Sequence, residues 1–418
     1  MLQALRSALK IGDLRQKIVF TLMMFLVFRI GAHIPVPGIN LDVIADIMGE
    51  GQLLGFFDVI SGGAFRNFSI FAMSITPYIN ASIIMQLLTV VVPFLERLAK
   101  EGAEGRKKIV EYTRYLTVIL GFIQAIGISF GLRSALVDTS FGSIVLIALT
   151  LTAGTAFLMW LGEMITEKGI GNGISLIIFA GIVSSLPAGL ASIYAYVKAG
   201  TTNILVVILF AIIALVVIVG IVAIQEGQRR IPVQYAKRVV GRKVYGGQST
   251  HIPIKVNSAG VIPVIFAMSI LMFPGTIASW FPDNSFAVWI TNVFNFQSFF
   301  YNLLYALFII FFTYFYSAIT FNPMDVADNI KKYGGFIPGL RPGRPTSEYI
   351  AKVMNRITLV GAFFLAAIAV LPTILISTTQ LPVYFGGTAL LIVVGVALET
   401  MKQLEASLLM RHYEGFMK

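Results

Sequence analysis

The residues of this sequence that could carry out acid–base or metal chemistry are few and far apart. The 418-residue chain contains no cysteine, which excludes disulfides, thiolate metal sites and cysteine nucleophiles. Its histidines are His33, His251 and His412, and each falls near a predicted helix end or in a loop, so they do not predict a shared metal site. The stretch EGAEGRKK (101–108) lacks the spacing and the preceding strand of a phosphate-binding loop. The sequence therefore predicts a protein that is not an enzyme and binds no cofactor.

The acidic residues avoid the centres of the apolar segments. Glu163, Glu167, Glu226, Asp325 and Glu399 lie in loops or near predicted helix ends, and no predicted span has Asp, Glu, Lys or His at its centre. A coupled transporter generally needs such groups near the bilayer midplane. One function open to a membrane protein with basic loops is secondary transport of a small anionic solute that the loops attract. The distribution of the acidic residues argues against it.

The composition indicates a membrane protein that crosses the bilayer many times. The chain is 57% hydrophobic and 12% charged, with a mean hydropathy of +0.85, whereas a soluble domain carries about twice that charge. One crossing needs roughly 20 apolar residues. Ten spans are predicted, which places both termini on one side. They cover residues 18–33, 68–92, 115–132, 141–161, 172–194, 203–225, 258–281, 299–321, 355–376 and 383–401.

Lysine and arginine are distributed unevenly between the two sides of these spans. Of the 31 basic residues, all but Arg29, Arg66, Arg133 and Lys198 lie on the side of the termini, which the positive-inside rule assigns to the cytoplasm. Arg29 lies near the end of the first span, where a long cationic side chain can snorkel to the interface. Residues 1–17 are basic and amphipathic without a cleavage site, which is typical of a surface helix.

Two long predicted loops, 226–257 and 322–354, hold many of the basic residues. Basic residues can act solely as topology determinants, but the stretch GGFIPGLRPGRPT (334–346) contains four glycines and three prolines in thirteen residues. A loop with so many turn-forming residues favours a docking surface. Its charge suits an acidic protein, RNA or anionic lipid headgroups.

Several apolar and small-residue segments are open to two interpretations. Residues 53–65 are too short to span the bilayer and too apolar for a free loop, so they form either a helix on the headgroups or a segment inside the protein. The segments SITPYINAS (74–82) and GIGNGIS (169–175) are suited to close helix packing or to a pore lining. The first segment contains Ile75 and Ile79, and the second contains Ile174, which Ile178 follows. Each of these pairs has the spacing i, i+4 and so projects from one helix face.

Seven segments in this order and at this spacing resemble the SecY/Sec61-alpha family, whose bacterial members form the channel of the Sec protein translocase. The resemblance covers essentially the whole chain. The segments are TPYINASIIMQLL (76–88), EGRKKIVEYTRY (104–115), GIGNGIS (169–175), GQRRIPVQYAKR (227–238), QSTHIPIKVNSAGVIPVIFA (248–267), ADNIKKYGGFIPGLRPG (327–343) and FGGTALLIVVGVALETM (385–401).

The resemblance implies an all-α polytopic membrane fold with ten transmembrane helices. These would form two pseudo-symmetric five-helix halves around a central hourglass pore, with a re-entrant plug helix. The implied function is a protein-conducting channel in the bacterial cytoplasmic membrane. It would pass unfolded secretory chains across and release membrane helices sideways, driven by an external motor or ribosome. The implied units are an N-terminal surface helix, 1–17; a first half, 18–197, with the plug at 53–65; a second half, 198–401; and a cytosolic tail, 402–418.

The resemblance also implies functional residues and partners. The expected partners are the small membrane subunits SecE and SecG, the SecA motor ATPase, the ribosome, the translocated substrates and the lipid bilayer. The implied pore ring is Ile75, Ile79, Ile174, Ile178, Ile265 and Ile392. The implied plug residues are Phe57, Ile60, Gly62, Gly63 and Phe65, the lateral-gate residues are Ser82 and Met268, and the docking residues are Arg341, Arg230, Arg238 and Arg242.

Overall fold

The structure is a computed structural model, and the part of the chain that it describes is mainly helical. The described residues are 9–44, 58, 61–200, 203–235, 238–240, 243–245, 249–278, 284–295, 298–379 and 387–416. Their helices are α1 (Gly12–Gly31), α2 (Thr76–Val91), α3 (Pro93–Lys100), α4 (Ala103–Gly131), α5 (Phe141–Lys168), α6 (Gly173–Lys198), α7 (Ile204–Glu226), α8 (Ile262–Ala278), α9 (Ser285–Val293), α10 (Phe299–Thr320), α11 (Pro323–Lys332), α12 (Arg344–Thr379) and α13 (Gly387–Phe416).

Each of the ten predicted spans overlaps one of these helices, namely α1, α2, α4–α8, α10, α12 and α13. Six described helical segments are long and apolar enough to cross a membrane, and the bent pair α2–α3 would make a seventh. The apolar part of α8 is shorter, at Ile262–Gly275. The helical, multi-pass fold predicted from the apolar runs is therefore confirmed.

The second predicted span, 68–92, becomes helical only at Thr76. Phe68 and Ser74 have positive φ angles of 34° and 51°, and the residues around them form turns. Because non-glycine residues rarely adopt this conformation, the turns interrupt any helix there. Pro77 then occupies the first turn of α2, where its missing N–H and fixed φ are tolerated.

The end of α2 is marked by a sharp change of direction. The residue before Pro93 is extended, as expected before a proline, and the chain bends by 98° into α3. Leu95 and Leu98 of α3 are buried, whereas Arg97 and Lys100 are exposed. The helix α3 is thus amphipathic and is suited to lie along an interface.

The segment GIGNGIS forms the tight connection between α5 and α6. The side chain of Asn172 accepts hydrogen bonds from the backbone N–H groups of Ile174 and Ser175 and so caps α6. A Cβ on Gly173 would lie 1.9 Å from the carbonyl oxygen of Gly162 on α5. Here the small residues permit close helix packing.

The helices form two packed sets that meet along few contacts. In the first set α5 packs against α1, α4 and α6, and α4 packs against α2. In the second set α10 packs against α8 and α12, and α13 packs against α7 and α12. The sets touch where α2 and α4 meet α8, and where α6 meets α13. The centre of the molecule lies between these two lines of contact.

The two long basic loops come together in a β-sheet that the sequence analysis did not predict. Strand β1 (Gln228–Tyr235) pairs antiparallel with β4 (Ser249–Lys255) and with β5 (Gly335–Phe336), giving the order β4-β1-β5. The short strands β2 (Arg238–Val240) and β3 (Lys243–Tyr245) pair with each other. An apolar core beneath the main sheet is formed by residues of β1, β4, α11 and α12 and by the residue that follows β5. Its members are Ile231, Val233, Ile254, Ile330, Ile337, Ile350 and Met354. We call the five strands, the loops that connect them, α11 and the start of α12 the basic domain.

The start of α1 and the later part of α13 lie on the same side of the molecule as the basic domain. Lys402 on α13 forms an ion pair of 2.8 Å with Glu226, which directly precedes the basic domain. Leu14 near the start of α1 packs against Leu404 and Leu408 near the end of α13. We call this side the basic face and the other side the opposite face.

Candidate channel constriction, plug and docking surface

Four of the six predicted ring isoleucines meet at the centre of the molecule. Ile79 from α2, Ile178 from α6, Ile265 from α8 and Ile392 from α13 line one cavity of about 20 Å³. That volume holds about one water molecule. Four helices, two from each set, therefore close the centre with aliphatic side chains.

The other two predicted ring residues, Ile75 and Ile174, do not line this cavity. Ile75 is fully buried just before the first turn of α2. Ile174 lies in the first turn of α6 and packs against α5, where a Cβ on Gly162 would lie 2.5 Å from Ile174 Cδ1. Ile75 belongs to the large apolar core that contains Ile178, Ile265 and Ile392, and Ile174, like Ile79, packs against that core.

The cavity has further lining residues that the sequence analysis did not assign to the ring. They are Thr76 on α2 and Met268, Ser269 and Met272 on α8. The positions 265, 268, 269 and 272 follow the i, i+3, i+4 and i+7 pattern of one helix face, so the pattern could have indicated them. Methionine side chains are flexible and fill irregular gaps, which suits a closure that must adapt its shape.

The two predicted lateral-gate residues lie on the helices expected to form the gate, α2 and α8, which are in contact. Met268 is buried and lines the cavity beside Thr76 and Ile79. Ser82 is half-buried and lies one turn beyond Ile79 toward the basic face, where its hydroxyl accepts a hydrogen bond of 3.4 Å from Gln86 Nε2.

The C-terminal end of the predicted plug segment is seated beside the constriction. Gly62 and Gly63 have positive φ angles of 69° and 84°, which favour glycine. The space for a Cβ on Gly62 is taken by Gly181 Cα at 2.9 Å and by Ser184 Oγ at 2.8 Å. These residues lie one and two turns beyond the lining residue Ile178 on α6.

The residues on either side of this glycine pair have different environments. Ala64 is buried in the same apolar core as the lining isoleucines, whereas Phe65 is buried in a second core on the opposite face, with Phe68 and residues of α4 and α5. The backbone N–H of Arg66 donates a hydrogen bond of 2.8 Å to Asp58 Oδ1, and its side chain lies 3.8 Å from Asp58 Oδ2. The predicted plug residues Phe57 and Ile60 lie outside the described residues.

The predicted docking arginines belong to the basic domain as far as the structure describes them. Arg230 lies on β1 opposite Pro253 and is exposed. Arg341 follows β5, is exposed, and has a backbone oxygen that accepts a hydrogen bond of 2.8 Å from Thr346 Oγ1. Arg238 lies on β2, paired with Tyr245. Arg242 lies outside the described residues.

The turns around Arg341 explain the glycine-rich sequence. Gly339 and Gly343 have φ angles of 83° and 102°, a conformation that strains other residues. Strand β5 joins this loop to β1, so that Arg230 and Arg341 are presented by one structural unit. The sequence predicts two basic loops that share a docking role, but their pairing in one sheet is not visible in the sequence of either loop alone.

These features define a class, a multi-pass helical membrane protein whose two sets of helices close an apolar central constriction below a basic domain. The sequence model of the SecY family matches residues 69–401. The chain belongs to the SecY family. It is 52% identical to the protein translocase subunit SecY of Halalkalibacterium halodurans over the full length of both chains. It is 47% identical to that of Escherichia coli K12, with 98% of this chain and 95% of the relative covered.

Solved channel structures share the fold at low sequence identity. A protein-conducting channel superposes with a TM-score of 0.67 at 19% identity, covering 94% of this chain and 92% of that chain. A second solved structure is of a SecY protein whose plug domain stabilises the closed state of the channel. It gives a TM-score of 0.66 at 19% identity and the same coverage. Sec61 from the canine ribosome–channel complex gives 0.63 at 17% identity, again over 94% and 92%.

Proposed function

We propose that this chain is the central protein-conducting subunit of a bacterial Sec translocon. It passes unfolded secretory chains across the membrane and releases membrane helices sideways into the lipid. The observation that carries this proposal is the meeting of Ile79, Ile178, Ile265 and Ile392, from four helices and both sets, around a cavity of about 20 Å³. A ring of aliphatic side chains excludes ions by dewetting and still yields to side chains of many shapes.

Opening follows from how the two sets of helices meet. Of the side chains that α2 and α8 contribute to the cavity lining, Ile79, Met268 and Met272 are apolar, and apolar contacts lack the directional requirement of hydrogen bonds. Separation along this line widens the ring and exposes the channel to lipid. We assign residues 18–197 to one moving half, residues 198–401 to the other, and Ser82 and Met268 to the gate between them.

The plug closes the ring from the opposite face. Gly62 lies against Gly181 and Ser184 of α6, about one and two turns along the helix from the lining residue Ile178. A plug domain stabilises the closed state in a SecY protein of the same fold. We assign residues 53–65 to this role, with Ile75 and Ile174 supporting the ring from the surrounding core.

The basic face is cytoplasmic, with both chain termini, and the chain lies in the cytoplasmic membrane. The positive-inside rule supports this orientation, because nearly all lysines and arginines lie on that side. The exposed Arg230 and Arg341 of the basic domain, together with Arg238 and Arg242, form the docking surface for the ribosome and the SecA motor. A related channel has been solved bound to a ribosome. SecE and SecG bind at the periphery of the helices.

Reconstitution tests this function directly. The chain is co-purified with its small membrane subunits, placed in vesicles, and given a candidate motor, ATP and a secretory precursor. We expect precursor protected from protease inside the vesicles, dependent on ATP and on the motor. A vesicle carrying the chain but no motor is the control. ATP-independent uptake of a small anion without any protection of precursor would instead support a transporter.

A further inference from the structure

The position of Arg29 near the end of the first span predicts that its side chain extends to the membrane interface. In the structure its guanidinium group instead contacts other parts of the protein. Its Nη1 donates a hydrogen bond to the carbonyl oxygen of Gly62. The same nitrogen donates to Ser184 Oγ on α6 at 3.2 Å. One guanidinium thus connects α1, the glycine pair of the plug segment, and α6.

The partners of Arg29 are arranged so that both can accept. The hydroxyl of Ser184 donates its own proton to the backbone oxygen of Gly181 at 2.7 Å, which leaves the oxygen lone pairs for Arg29. The carbonyl oxygen of Gly62 accepts from Arg29 at a residue whose φ angle is 69°, a conformation that favours glycine. Hydrogen bonds from a charged donor are stronger than neutral ones.

The shape of the site adds to these hydrogen bonds. Gly62 fits against Gly181 and Ser184 with no room for a Cβ. We call Gly62 and Gly63 the hinge of the plug segment, and only glycine at position 62 brings this hinge so close to α6. Gly63, in contrast, has open space around its Cβ position. Gly62 is therefore held in place by α6, whereas no neighbouring atom restricts the space beside Gly63.

We propose that Arg29 is a positioning residue that, together with Ser184, clasps the Gly62 hinge against α6 and so anchors residues 61–65, the described end of the plug segment, in the resting channel. This inference rests on the proposed function. Because Arg29 is itself exposed, its hydrogen bonds compete with water and the clasp is weak enough to break when a chain enters. The clasp sets how readily the resting channel opens.

The test compares variants of the full chain in its complex. Arg29→Met removes the donor and keeps the length of the side chain, and Ser184→Ala removes one acceptor. Arg29→Lys keeps a charged donor and is expected to show a smaller change than Arg29→Met. Arg133→Met is the matched control, because Arg133 is an exposed arginine outside the clasp. Resting ion conductance is measured in planar bilayers, and translocation of a precursor is measured in parallel vesicles.

A cysteine reporter measures the seating of the hinge. Ser61 is 1% exposed, and the chain has no native cysteine, so Ser61→Cys reacts slowly with a membrane-impermeant maleimide while the hinge is seated. We expect Arg29→Met to raise both this rate and the resting conductance by about fivefold. Ser129→Cys on α4, also 1% exposed, is expected to keep its slow rate.

The outcomes separate this inference from the proposed function. If the parent chain translocates but Arg29→Met conducts and reacts like Arg133→Met, the clasp is wrong and the channel function stands. If the rate rises at Ser129→Cys as well as at Ser61→Cys, Arg29 supports the fold in general and the clasp is also wrong. If the parent chain fails to translocate in the complete system, the proposed function fails whatever the conductances are.

Discussion

The constriction and the basic domain are built from different interactions. The constriction joins side chains of four helices around a small cavity. The basic domain joins two distant loops through a ladder of seven residue pairs between β1 and β4, from Gln228 opposite Lys255 to Gln234 opposite Ser249, above an apolar core. Apolar contacts are non-directional, whereas a strand ladder fixes its register. We therefore expect the first region to change shape during transport and the second to keep its shape.

This difference predicts where a mutation costs stability and where it changes transport. Substitutions in the core of the basic domain should destabilise a rigid unit. Substitutions at the constriction or on the docking surface should leave the fold intact and alter conductance or export. The following variants test that division, in order of decreasing cost in stability.

The largest cost is expected for Ile350→Ala. Ile350 is fully buried in the core beneath the sheet, and truncating such a residue costs about 2–5 kcal/mol through lost contacts and the cavity left behind. Limited proteolysis of the purified complex should cut the basic domain faster. Leu359→Ala on the same helix is the control, because Leu359 is 46% exposed. Equal proteolysis of the two variants would contradict the rigid-unit account.

A smaller cost is expected for Gly361→Ala. A Cβ on Gly361 would lie 2.6 Å from the backbone oxygen of Val256, which connects the basic domain to α8. Alanine normally stabilises a helix relative to glycine, but overpacking here costs about 1–3 kcal/mol. Thermal unfolding should show a lower midpoint than for Gly142→Ala on α5, where the added Cβ meets nothing within 4 Å. A higher midpoint for Gly361→Ala would mean that the junction is loose.

At the constriction, Ile178→Val should cost only about 0.5–1.5 kcal/mol and still raise the resting ion conductance. Ile178 lines the cavity, so the loss of one methyl group enlarges an opening that holds about one water molecule. Planar-bilayer recording checks this. Ile84→Val on α2 is the matched control, since Ile84 is 37% exposed and does not line the cavity. Identical conductances would remove Ile178 from the ring.

The smallest cost in stability is expected for Arg341→Glu on the proposed docking surface. Arg341 is exposed, and such substitutions usually change stability by less than about 0.5 kcal/mol. We nevertheless expect motor-driven export to fall sharply, because the reversed charge repels an acidic docking surface. The export assay in vesicles measures this, with Arg133→Glu as the control, because Arg133 is an exposed arginine outside the basic domain. Normal export by Arg341→Glu would exclude Arg341 from the docking surface.

The membrane spans could be predicted from the sequence because apolar runs are long and self-contained. The start of α2 was placed eight residues early, at 68 in place of Thr76. Pro77 is a signal for a helix start and was present in the sequence. The left-handed backbone at Phe68 and Ser74 could not be predicted, because it is imposed by packing against residues distant in sequence.

The sheet of the basic domain was only partly predictable. QRRIPVQY alternates, with Ile231 and Val233 buried and their neighbours Arg230 and Gln234 exposed, and this period of two indicates a strand. The two-residue strand β5 has no such pattern. Its pairing with Gln234 and Tyr235 joins segments about a hundred residues apart, so the sequence of either loop does not reveal it.

The site was predictable in its chemistry but not in every position. Each i, i+4 pair contains one lining residue, Ile79 or Ile178. Of their partners, Ile75 is buried in the surrounding apolar core and Ile174 packs against α5. Helix periodicity does not tell which member of a pair reaches the centre. The contact of Arg29 with Gly62 likewise depends on how α1, the hinge and α6 are arranged in space.

The central claim, that translocation requires α2 and α8 to separate at the constriction, is tested most directly by cross-linking. Thr76 and Ser269 line the same small cavity from these two helices, and the chain has no native cysteine. The double variant Thr76→Cys/Ser269→Cys is joined with a short thiol-specific cross-linker and compared with each single variant treated identically. We predict that the joined channel blocks precursor export and that both single variants transport. Equal export by the joined and unjoined double variant would contradict the account.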